Sequence, residues 1–272
     1  MTEPLHLCFV KGHGTGNDFV LIDDRVSHFP VSNAKLIAHL CDRRRGIGGD
    51  GLVLLQNSSY ADYRMRYFNA DGGEVSLCGN ALRCLSLFIA FLGDSRTILT
   101  IETEGSSCLV EREGSLVSVR FSSPKLLKSR FTLPLSCGSR DVFFVDSGVP
   151  HAILFTKDID NEEVELIGKE IRHHTLFAPS GTNVNFVFWD GGDGASIRTY
   201  ERGVEGETLS CGTGTLAAAF VLMHFTKARS MTFTTRSQEP LVVDTSTWEL
   251  KGKAHLSYKG FLIQEAGQIV LI

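Results

Sequence analysis

The distribution of hydrophobic and polar positions predicts many short strands and few helices. Short apolar runs bounded by Gly, Asp and Asn recur along the chain, as expected for strands separated by turns. The predicted strands are 19–22, 52–55, 63–68, 116–121, 142–145, 152–155, 185–189 and 195–200, and helical periodicity covers 33–43, 79–92 and 212–226. The stretch 124–134 is predicted as a loop. Many strands with few long helices favour an α+β fold.

An internal repeat with an offset of 133 residues is the most informative feature. The pattern Tyr67-x5-Gly73-Glu74-x3-Cys78-Gly79 recurs as Tyr200-x5-Gly206-Glu207-x3-Cys211-Gly212. In each half, the Cys-Gly pair opens the most apolar predicted helix. The repeat predicts two like domains made by duplication. We expect an N-terminal domain, 1–128, that carries Cys78 and to which a C-terminal strand, 262–272, returns, and a second domain, 129–261, that carries Cys211.

Composition excludes several classes of protein. The chain has 272 residues, 27 basic and 31 acidic, and its net charge of −4 argues against a nucleic-acid binder. Apolar runs fall short of the roughly 18 residues that a membrane span needs, and no signal peptide is visible at the N-terminus. The seven cysteines are odd in number, widely spaced and without a CxxC pair. This pattern favours free thiols in a reducing cytoplasm and no metal site.

The repeated Cys-Gly pairs predict acid-base chemistry. A cysteine at the start of a helix lies beside unsatisfied backbone N–H groups at the positive end of the helix dipole, where a thiolate is favoured. Two such helix N-termini facing across a cleft between the domains would bind one carboxylate between them. Two thiols on opposite sides of that carboxylate are suited to removing an α-proton from one face and returning one to the other. One must then be a thiolate and the other a thiol.

Five segments resemble the diaminopimelate epimerase family. They are 9–19 (FVKGHGTGNDF), 69–80 (NADGGEVSLCGN), 148–151 (GVPH), 181–185 (GTNVN) and 201–214 (ERGVEGETLSCGTG). The resemblance implies two pseudo-symmetric domains, each a barrel-like, mostly antiparallel sheet around a central helix, with the active site in the cleft between them. It also implies interconversion of LL- and meso-diaminopimelate, for lysine and peptidoglycan synthesis, without a cofactor.

The resemblance also implies a role for each matching residue. Cys78 and Cys211 would be the two acid-base catalysts, and His151 and Glu201 would tune them. The remaining residues would bind substrate, through backbone N–H groups near the cysteines or through side chains elsewhere: Asn17, Asn69, Gly79, Asn80, Asn183, Glu201, Arg202, Gly212 and Thr213. Outside the family context, the asparagines are equally typical of turns, and His151 of a packed core imidazole.

Two positions depart from the family pattern. Gly51 stands where the family usually has Gln, and Val149 where it usually has Asn. A site that lacks those amides rejects other substrates less strongly, and a glycine adds room. We therefore expect diaminopimelate epimerisation with secondary racemisation of another amino acid, glutamate being the best candidate.

Three other functions stay open. A proline or hydroxyproline racemase shares the two-cysteine arrangement. A cysteine hydrolase would use the order Cys78, His151, Asn183, although it gives no reason for a second Cys-Gly pair. A non-catalytic amino-acid binding protein would retain the cleft alone. As partners we expect a small amino-acid substrate, with no nucleic acid and no membrane, and we leave open a homodimer.

Overall fold

A computed structural model of the chain describes residues 5–104, 106–265 and 268–271. Within these ranges the helices are α1 (Ala34–Cys41), α2 (Gly79–Phe91), α3 (Val164–Arg172) and α4 (Gly212–Leu222), with a 3-10 helix at Thr175–Phe177. The strands are β1 (Leu5–Gly14), β2 (Asn17–Asp23), β3 (Gly51–Gln56), β4 (Tyr63–Asn69), β5 (Glu74–Val75), β6 (Ile98–Thr103), β7 (Ser106–Glu113), β8 (Leu116–Arg120), β9 (Lys125–Leu133), β10 (Arg140–Asp146), β11 (Pro150–Phe155), β12 (Asn183–Trp189), β13 (Gly194–Glu201), β14 (Gly206–Thr208), β15 (Ser230–Thr234), β16 (Pro240–Asp244), β17 (Glu249–Glu265) and β18 (Gln268–Leu271). No helix in the described ranges has the length and apolar character needed to cross a membrane.

The chain divides into two compact units. Unit 2 is residues 120–252, and unit 1 consists of the described residues up to Val119 and from Lys253 onwards. The boundaries between the units lie at 119/120 and 252/253. The boundaries predicted from the sequence are 128/129 and 261/262. The second change falls inside the long strand β17, which begins in unit 2 and ends in unit 1.

Unit 1 is a mostly antiparallel sheet around a central helix. Its strands pair in the order β17–β1–β2–β3–β4–β6–β7, with parallel pairs at β2–β3 and β4–β6. Helix α2 packs against β1, β2, β3, β4 and β7, so strands surround it. Ten of its thirteen residues are buried, which is the pattern of a helix inside a core.

Unit 2 repeats this arrangement. Its strands pair in the order β9–β10–β11–β12–β13–β15–β16–β17, with parallel pairs at β11–β12 and β13–β15. Helix α4 packs against β10, β11, β12 and β16. The registers also correspond, since Phe19 faces Gly51 in unit 1 and Ala152 faces Val184 in unit 2, each shifted by 133 residues. The predicted α+β fold of two like barrels around central helices is confirmed.

A second helix covers the outer face of each sheet. In unit 1, Leu36, Ile37 and Leu40 of α1 pack in a core with Leu52 of β3. The Asn33 side chain caps this helix by accepting from the backbone N–H of Leu36 at 3.1 Å. In unit 2, α3 takes the same place, with its buried residues spaced as on one helical face: Val164, Ile167, Gly168 and Ile171.

The helices and strands that the sequence predicts are present in the structure. Helices α1, α2 and α4 and all eight predicted strands are confirmed within a few residues at each end. The loop predicted at 124–134 is wrong, because β9 runs through it and pairs with β10. The side chains of residues 125–130 are all exposed, so no apolar alternation marks this strand. Helix α3 is not predicted at all.

Candidate functional site

The two repeated cysteines are the N-cap residues of the two central helices. Cys78 precedes α2 with φ −142° and ψ 113°, and Cys211 precedes α4 with φ −127° and ψ 107°. Both are extended, and neither helix has a side-chain hydrogen bond at its cap. The first-turn N–H groups of Gly79 and Gly212 are therefore not taken up by capping side chains and can bind an anion.

The other five cysteines lie in different surroundings. Cys41, Cys84 and Cys108 are buried, and burial raises the pKa of Cys41 to about 12 and that of Cys108 to about 11. Burial also raises the pKa of Cys84. Since a thiolate is the reactive form, these three thiols are inert. Cys8 and Cys137 are exposed and lie outside the repeated motif.

In unit 1, a chain of hydrogen bonds passes through Asn80, which lies two residues after Cys78. Arg83, fully buried in α2, donates to Oδ1 of Asn80. The Asn80 amide nitrogen donates to Oδ1 of Asn17 at 3.1 Å, and Asn17 donates in turn to Asp50 Oδ2 at 2.7 Å. A guanidinium only donates and a carboxylate only accepts, so the two ends of the chain fix the orientation of both amides.

Charged side chains surround the far end of this chain. Asp18 pairs with Lys11 at 2.7 Å and with Arg43 at 2.6 Å, and Arg43 also reaches Asp50 at 2.7 Å. Burial alone would raise the pKa of Asp18, but hydrogen bonds from Arg43 and Lys11 outweigh it and hold that pKa well below its usual range. The Lys11 ammonium also donates to the carbonyl of Gly48.

A neutral hydrogen-bond chain follows Cys211 in unit 2. Thr213 Oγ1 lies 3.5 Å from the Cys211 sulfur and 3.0 Å from Nε2 of His151. On the other side of the ring, His151 Nδ1 lies 2.9 Å from the Asn185 amide nitrogen. His151 is fully buried, and burial, with a smaller contribution from the charge of Arg202, lowers its pKa to about 3. The imidazole is therefore neutral at physiological pH.

Asn183 and Arg202 lie together at the ends of β12 and β13. Asn183 Oδ1 accepts from the backbone N–H of Arg202 at 2.8 Å, and its amide nitrogen donates to the Pro150 carbonyl at 3.2 Å. The half-buried Arg202 guanidinium contacts the Ser180 carbonyl at 3.4 Å, and within the described residues it makes no ion pair with a carboxylate. Glu201 accepts from the Thr208 hydroxyl at 2.9 Å. Arg202 is thus a cation available to an anionic ligand.

Comparison with known proteins identifies the family. The diaminopimelate epimerase family model matches residues 9–124 and 143–249. The chain is 41% identical over 254 residues to the diaminopimelate epimerase of Chlorobaculum tepidum, covering 91% of this chain and 98% of that protein. It is 38% identical over 229 residues to that of Flavobacterium psychrophilum, covering 84% and 86%. The chain belongs to the diaminopimelate epimerase family. Epimerases are isomerases, so it is an isomerase of the amino-acid epimerase class.

Solved structures with little sequence identity share the fold. A Bacillus anthracis phenazine biosynthesis protein of the PhzF family superposes with a TM-score of 0.72 at 15% identity, covering 98% of this chain and all of that one. A hydroxyproline epimerase from Agrobacterium vitis, solved with bound trans-4-hydroxy-L-proline, gives a TM-score of 0.71 at 15% identity, with 96% and 94% covered. At this identity the similarity shows the fold alone.

Gly51, one of the two departures from the family pattern, does not add room. A Cβ at Gly51 would overlap the Phe68 carbonyl oxygen and lie 2.5 Å from Cε2 of Tyr67. The Tyr67 hydroxyl in turn donates to Asn69 Oδ1 at 2.9 Å. The expectation that glycine enlarges the pocket here is wrong, because the Tyr67 ring already fills the space beside it.

Val149, the other departure, lies in the turn between β10 and β11. It is half-exposed, and its carbonyl accepts from the backbone N–H of Ser147 at 3.2 Å. The Ser147 hydroxyl donates to the Thr213 carbonyl at 2.8 Å, which ties this turn to the first turn of α4. An amide side chain at position 149 would thus stand near solvent and needs no buried partner.

The residues named from the sequence fall into two groups within their own units. In unit 1, Asn17 is hydrogen-bonded to Asn80, which lies two residues after Cys78. In unit 2, His151 is hydrogen-bonded to Thr213, which lies two residues after Cys211. The sequence misses Arg83, Asp50, Asn185 and Thr199, all of which hold these groups in place. Arg83 alone carries a visible signal, as the single charged residue in the apolar segment 79–92.

Proposed function

We propose that this protein interconverts LL- and meso-diaminopimelate with Cys78 and Cys211 as paired acid-base thiols and without a cofactor. The observation that carries the proposal is the repeated position of these two cysteines, each the N-cap of a buried central helix with no capping side chain. The curated relatives are named for the same reaction. The two cysteines and helix N-termini would act on any α-amino acid, so other residues must determine which substrate is bound.

The chemistry follows from the helix N-termini. The substrate α-carboxylate accepts hydrogen bonds from backbone N–H groups that follow Cys78 and Cys211, so negative charge that develops at the α-carbon is stabilised by fixed dipoles. One thiolate removes the α-proton while the other thiol delivers a proton to the opposite face. After one turnover, the cysteine that was the thiolate is a thiol and the other is a thiolate. This is the state that the reverse reaction needs, so the reaction can run in both directions.

The distal end of the substrate requires a cation. Arg202 is the candidate, because its guanidinium forms no ion pair with a described carboxylate and suits bidentate binding of one. Asn69 and Asn183 are proposed to bind the distal amino-acid group with it, and Glu201 to accept from an ammonium. Asn17 and Asn80, oriented by Arg83 and Asp50, line the unit 1 side.

Glutamate racemisation is proposed as a secondary activity, and it rests on the missing amides at positions 51 and 149. Since Gly51 leaves no space for a side chain, the informative variant is Val149→Asn. Deuterium incorporation into L-glutamate and LL-diaminopimelate should be compared in wild type and variant. We expect the variant to favour diaminopimelate more strongly. No exchange into glutamate by the wild type would refute the secondary activity.

The main proposal is tested by exchange in deuterated water. The purified protein, dialysed against chelator and kept with reductant, is incubated with LL-diaminopimelate, L-proline or trans-4-hydroxy-L-proline. We expect α-deuterium and the meso isomer from diaminopimelate alone. Exchange into proline compounds alone would support a proline-type racemase, and exchange into none would support a binding protein. Recovery of activity that depends on an added cofactor would contradict the cofactor-independent mechanism.

The cellular setting is also a proposal. Two working thiols need a reducing compartment, so we place the protein in the cytoplasm. A homodimer is proposed as its oligomeric state. Light scattering of the reduced protein tests this, and a monomer at micromolar concentration would contradict it.

A further inference from the structure

The buried side chain of Asn185 has a fixed orientation. Its amide nitrogen lies 3.3 Å from the Ala152 carbonyl, and its Oδ1 lies 2.9 Å from the Thr199 hydroxyl. A backbone carbonyl only accepts hydrogen bonds, so the atom facing it must be the nitrogen. That same nitrogen is the one that lies 2.9 Å from His151 Nδ1. Asn185 therefore donates to His151.

This donation determines which nitrogen of His151 carries the proton. A ring nitrogen that accepts a hydrogen bond is unprotonated, so the single proton of the neutral imidazole lies on Nε2. Nε2 is 3.0 Å from Thr213 Oγ1 and donates to it. The oxygen of the Thr213 hydroxyl therefore accepts, and the hydrogen of this hydroxyl is left to donate to another acceptor; the Cys211 sulfur lies 3.5 Å from Thr213 Oγ1.

The ring stays neutral because of its surroundings. His151 is enclosed by β11, β12 and the first turn of α4, and the charged group that acts on it is Arg202. Burial and this positive charge both disfavour an imidazolium, which lowers the pKa of His151 to about 3. At physiological pH the ring therefore has one proton, accepts a hydrogen bond at Nδ1 and donates one at Nε2.

The start of helix α4 is shaped around Asn185. A Cβ at Gly214 would overlap Asn185 Oδ1 and would lie 3.4 Å from the Cys211 sulfur. The glycine at this position thus makes room for an amide beside the working cysteine.

We propose that Asn185 is a positioning residue that sets the direction of the hydrogen-bond chain from His151 through Thr213, so that Cys211 is held as a hydrogen-bond acceptor and is the thiolate in the resting enzyme. The inference deepens the proposed function, since it names which of the two thiols starts as the base. A donated hydrogen bond favours the charged form of an acceptor. Cys211 is then the base for the isomer whose α-hydrogen faces it.

The tautomer of His151 is tested in the wild-type protein by nitrogen-15 NMR. The ring nitrogen shifts distinguish a protonated from an unprotonated atom, and a His151→Gln variant assigns the signals. We expect Nδ1 unprotonated and Nε2 protonated near neutral pH. A protonated Nδ1 would overturn the proposal, and this result needs no variant of Asn185 to fold.

The thiol is tested in protein labelled with [3-¹³C]cysteine, in which the Cβ shift follows ionisation. We expect the midpoint of the Cys211 titration to rise by about one pH unit, a tenfold change in ionisation equilibrium, in Asn185→Leu and in Thr213→Val. Thr213→Ser keeps the hydroxyl and should keep the wild-type midpoint. The double variant should shift no further than either single one, because both interrupt the same chain. The buried Cys108, which lies outside the repeated motif, is the internal control and should be unchanged.

An unshifted Cys211 midpoint in Asn185→Leu, or additive shifts in the double variant, would overturn the inference. These titrations use the enzyme without substrate. Failure of the proposed function appears separately, as an absence of deuterium exchange into diaminopimelate while the NMR results stand.

Discussion

The surroundings of the two cysteines differ although the backbone around them repeats. Equivalent positions lie 133 residues apart, and they carry Asp18 and His151, Asn80 and Thr213, Ala81 and Gly214, Arg83 and Leu216. In unit 1 the chain after Cys78 ends on charged groups, a buried guanidinium and a carboxylate. In unit 2 the chain after Cys211 passes through neutral groups only.

This difference bears on the proposed two-base reaction. Such a reaction needs one thiolate and one thiol, and unequal surroundings determine which cysteine is ionised. In the mechanism proposed above, the duplicated helix N-termini would bind the α-carboxylate, and the divergent side chains would make the two thiols inequivalent.

The largest effect is expected from replacing either cysteine. Cys78→Ser and Cys211→Ser should each lower the rate of inversion by at least about a hundredfold, since a positioned general base contributes ~10²–10⁴-fold and a hydroxyl is a poor substitute. The measurement is conversion of LL- to meso-diaminopimelate. The exposed Cys137→Ser is the matched control and should keep full activity. More than a tenth of wild-type activity in either N-cap variant would argue against two-base chemistry.

The next effect comes from exchanging the equivalent residues Gly214 and Ala81. Gly214→Ala should destabilise the protein by about 1–3 kcal/mol through overpacking, because its Cβ meets the Asn185 amide, and should also reduce activity. The reverse change, Ala81→Gly, should cost only about 0.5–1 kcal/mol, from helix propensity. Urea unfolding and the epimerisation rate provide the two readouts. Equal losses in both variants would mean that unit 2 has no special packing at this position.

The repeat explains why much of the fold is predictable from the sequence. The spacing of Tyr, Gly, Glu and Cys survives duplication, and the helices that begin at Gly79 and Gly212 are apolar enough to be recognised. Strand β9 is missed because its side chains face solvent and lack alternation. Helix α3 is missed because its apolar face is short: the buried Val164, Ile167 and Ile171 have helical spacing, but the segment has only nine residues and low mean hydropathy.

The site is predictable only where it lies next to the motif. Asn80 and Thr213 follow their cysteines directly, whereas Asn185 and Asp50 reach the same groups through strand pairing that residue spacing does not encode. The effect of Gly51 is misjudged for the same reason. Its neighbours Tyr67 and Phe68 lie on the adjacent strand β4, and their contact with position 51 depends on the register.

A third effect, on stability alone, is expected at the equivalent positions 83 and 216, where unit 1 has a charged residue and unit 2 an apolar one. Arg83→Leu copies the unit 2 residue, Leu216, into α2 and removes the donor to Asn80 and to Thr15. We expect a loss of about 1–3 kcal/mol, because buried acceptors lose their partner. The control Arg130→Leu removes an exposed ion pair with Asp141 and should cost about 1 kcal/mol or less. Urea unfolding that gives equal values would show that Arg83 is not needed to orient Asn80.

A pH dependence of stability separates the units by the titration of Asp18 and His151. The pKa of His151 is about 3 in the folded protein and about 6.5 in an unfolded chain. As pH falls below about 6.5, the unfolded chain takes up a proton that the folded protein refuses, so the free energy of unfolding decreases by up to ~1.4 kcal/mol per pH unit. The folded-state pKa of Asp18 is also lowered, so its contribution to the free energy of unfolding is present above about pH 3.8 and is lost below that pH.

Urea unfolding at pH 7.0, 6.0, 5.0 and 4.5 should therefore show a decline in the free energy of unfolding that His151→Gln reduces and Asp18→Asn leaves in place. If His151→Gln keeps the full decline, the neutral buried imidazole is not what distinguishes the surroundings of Cys211 from those of Cys78.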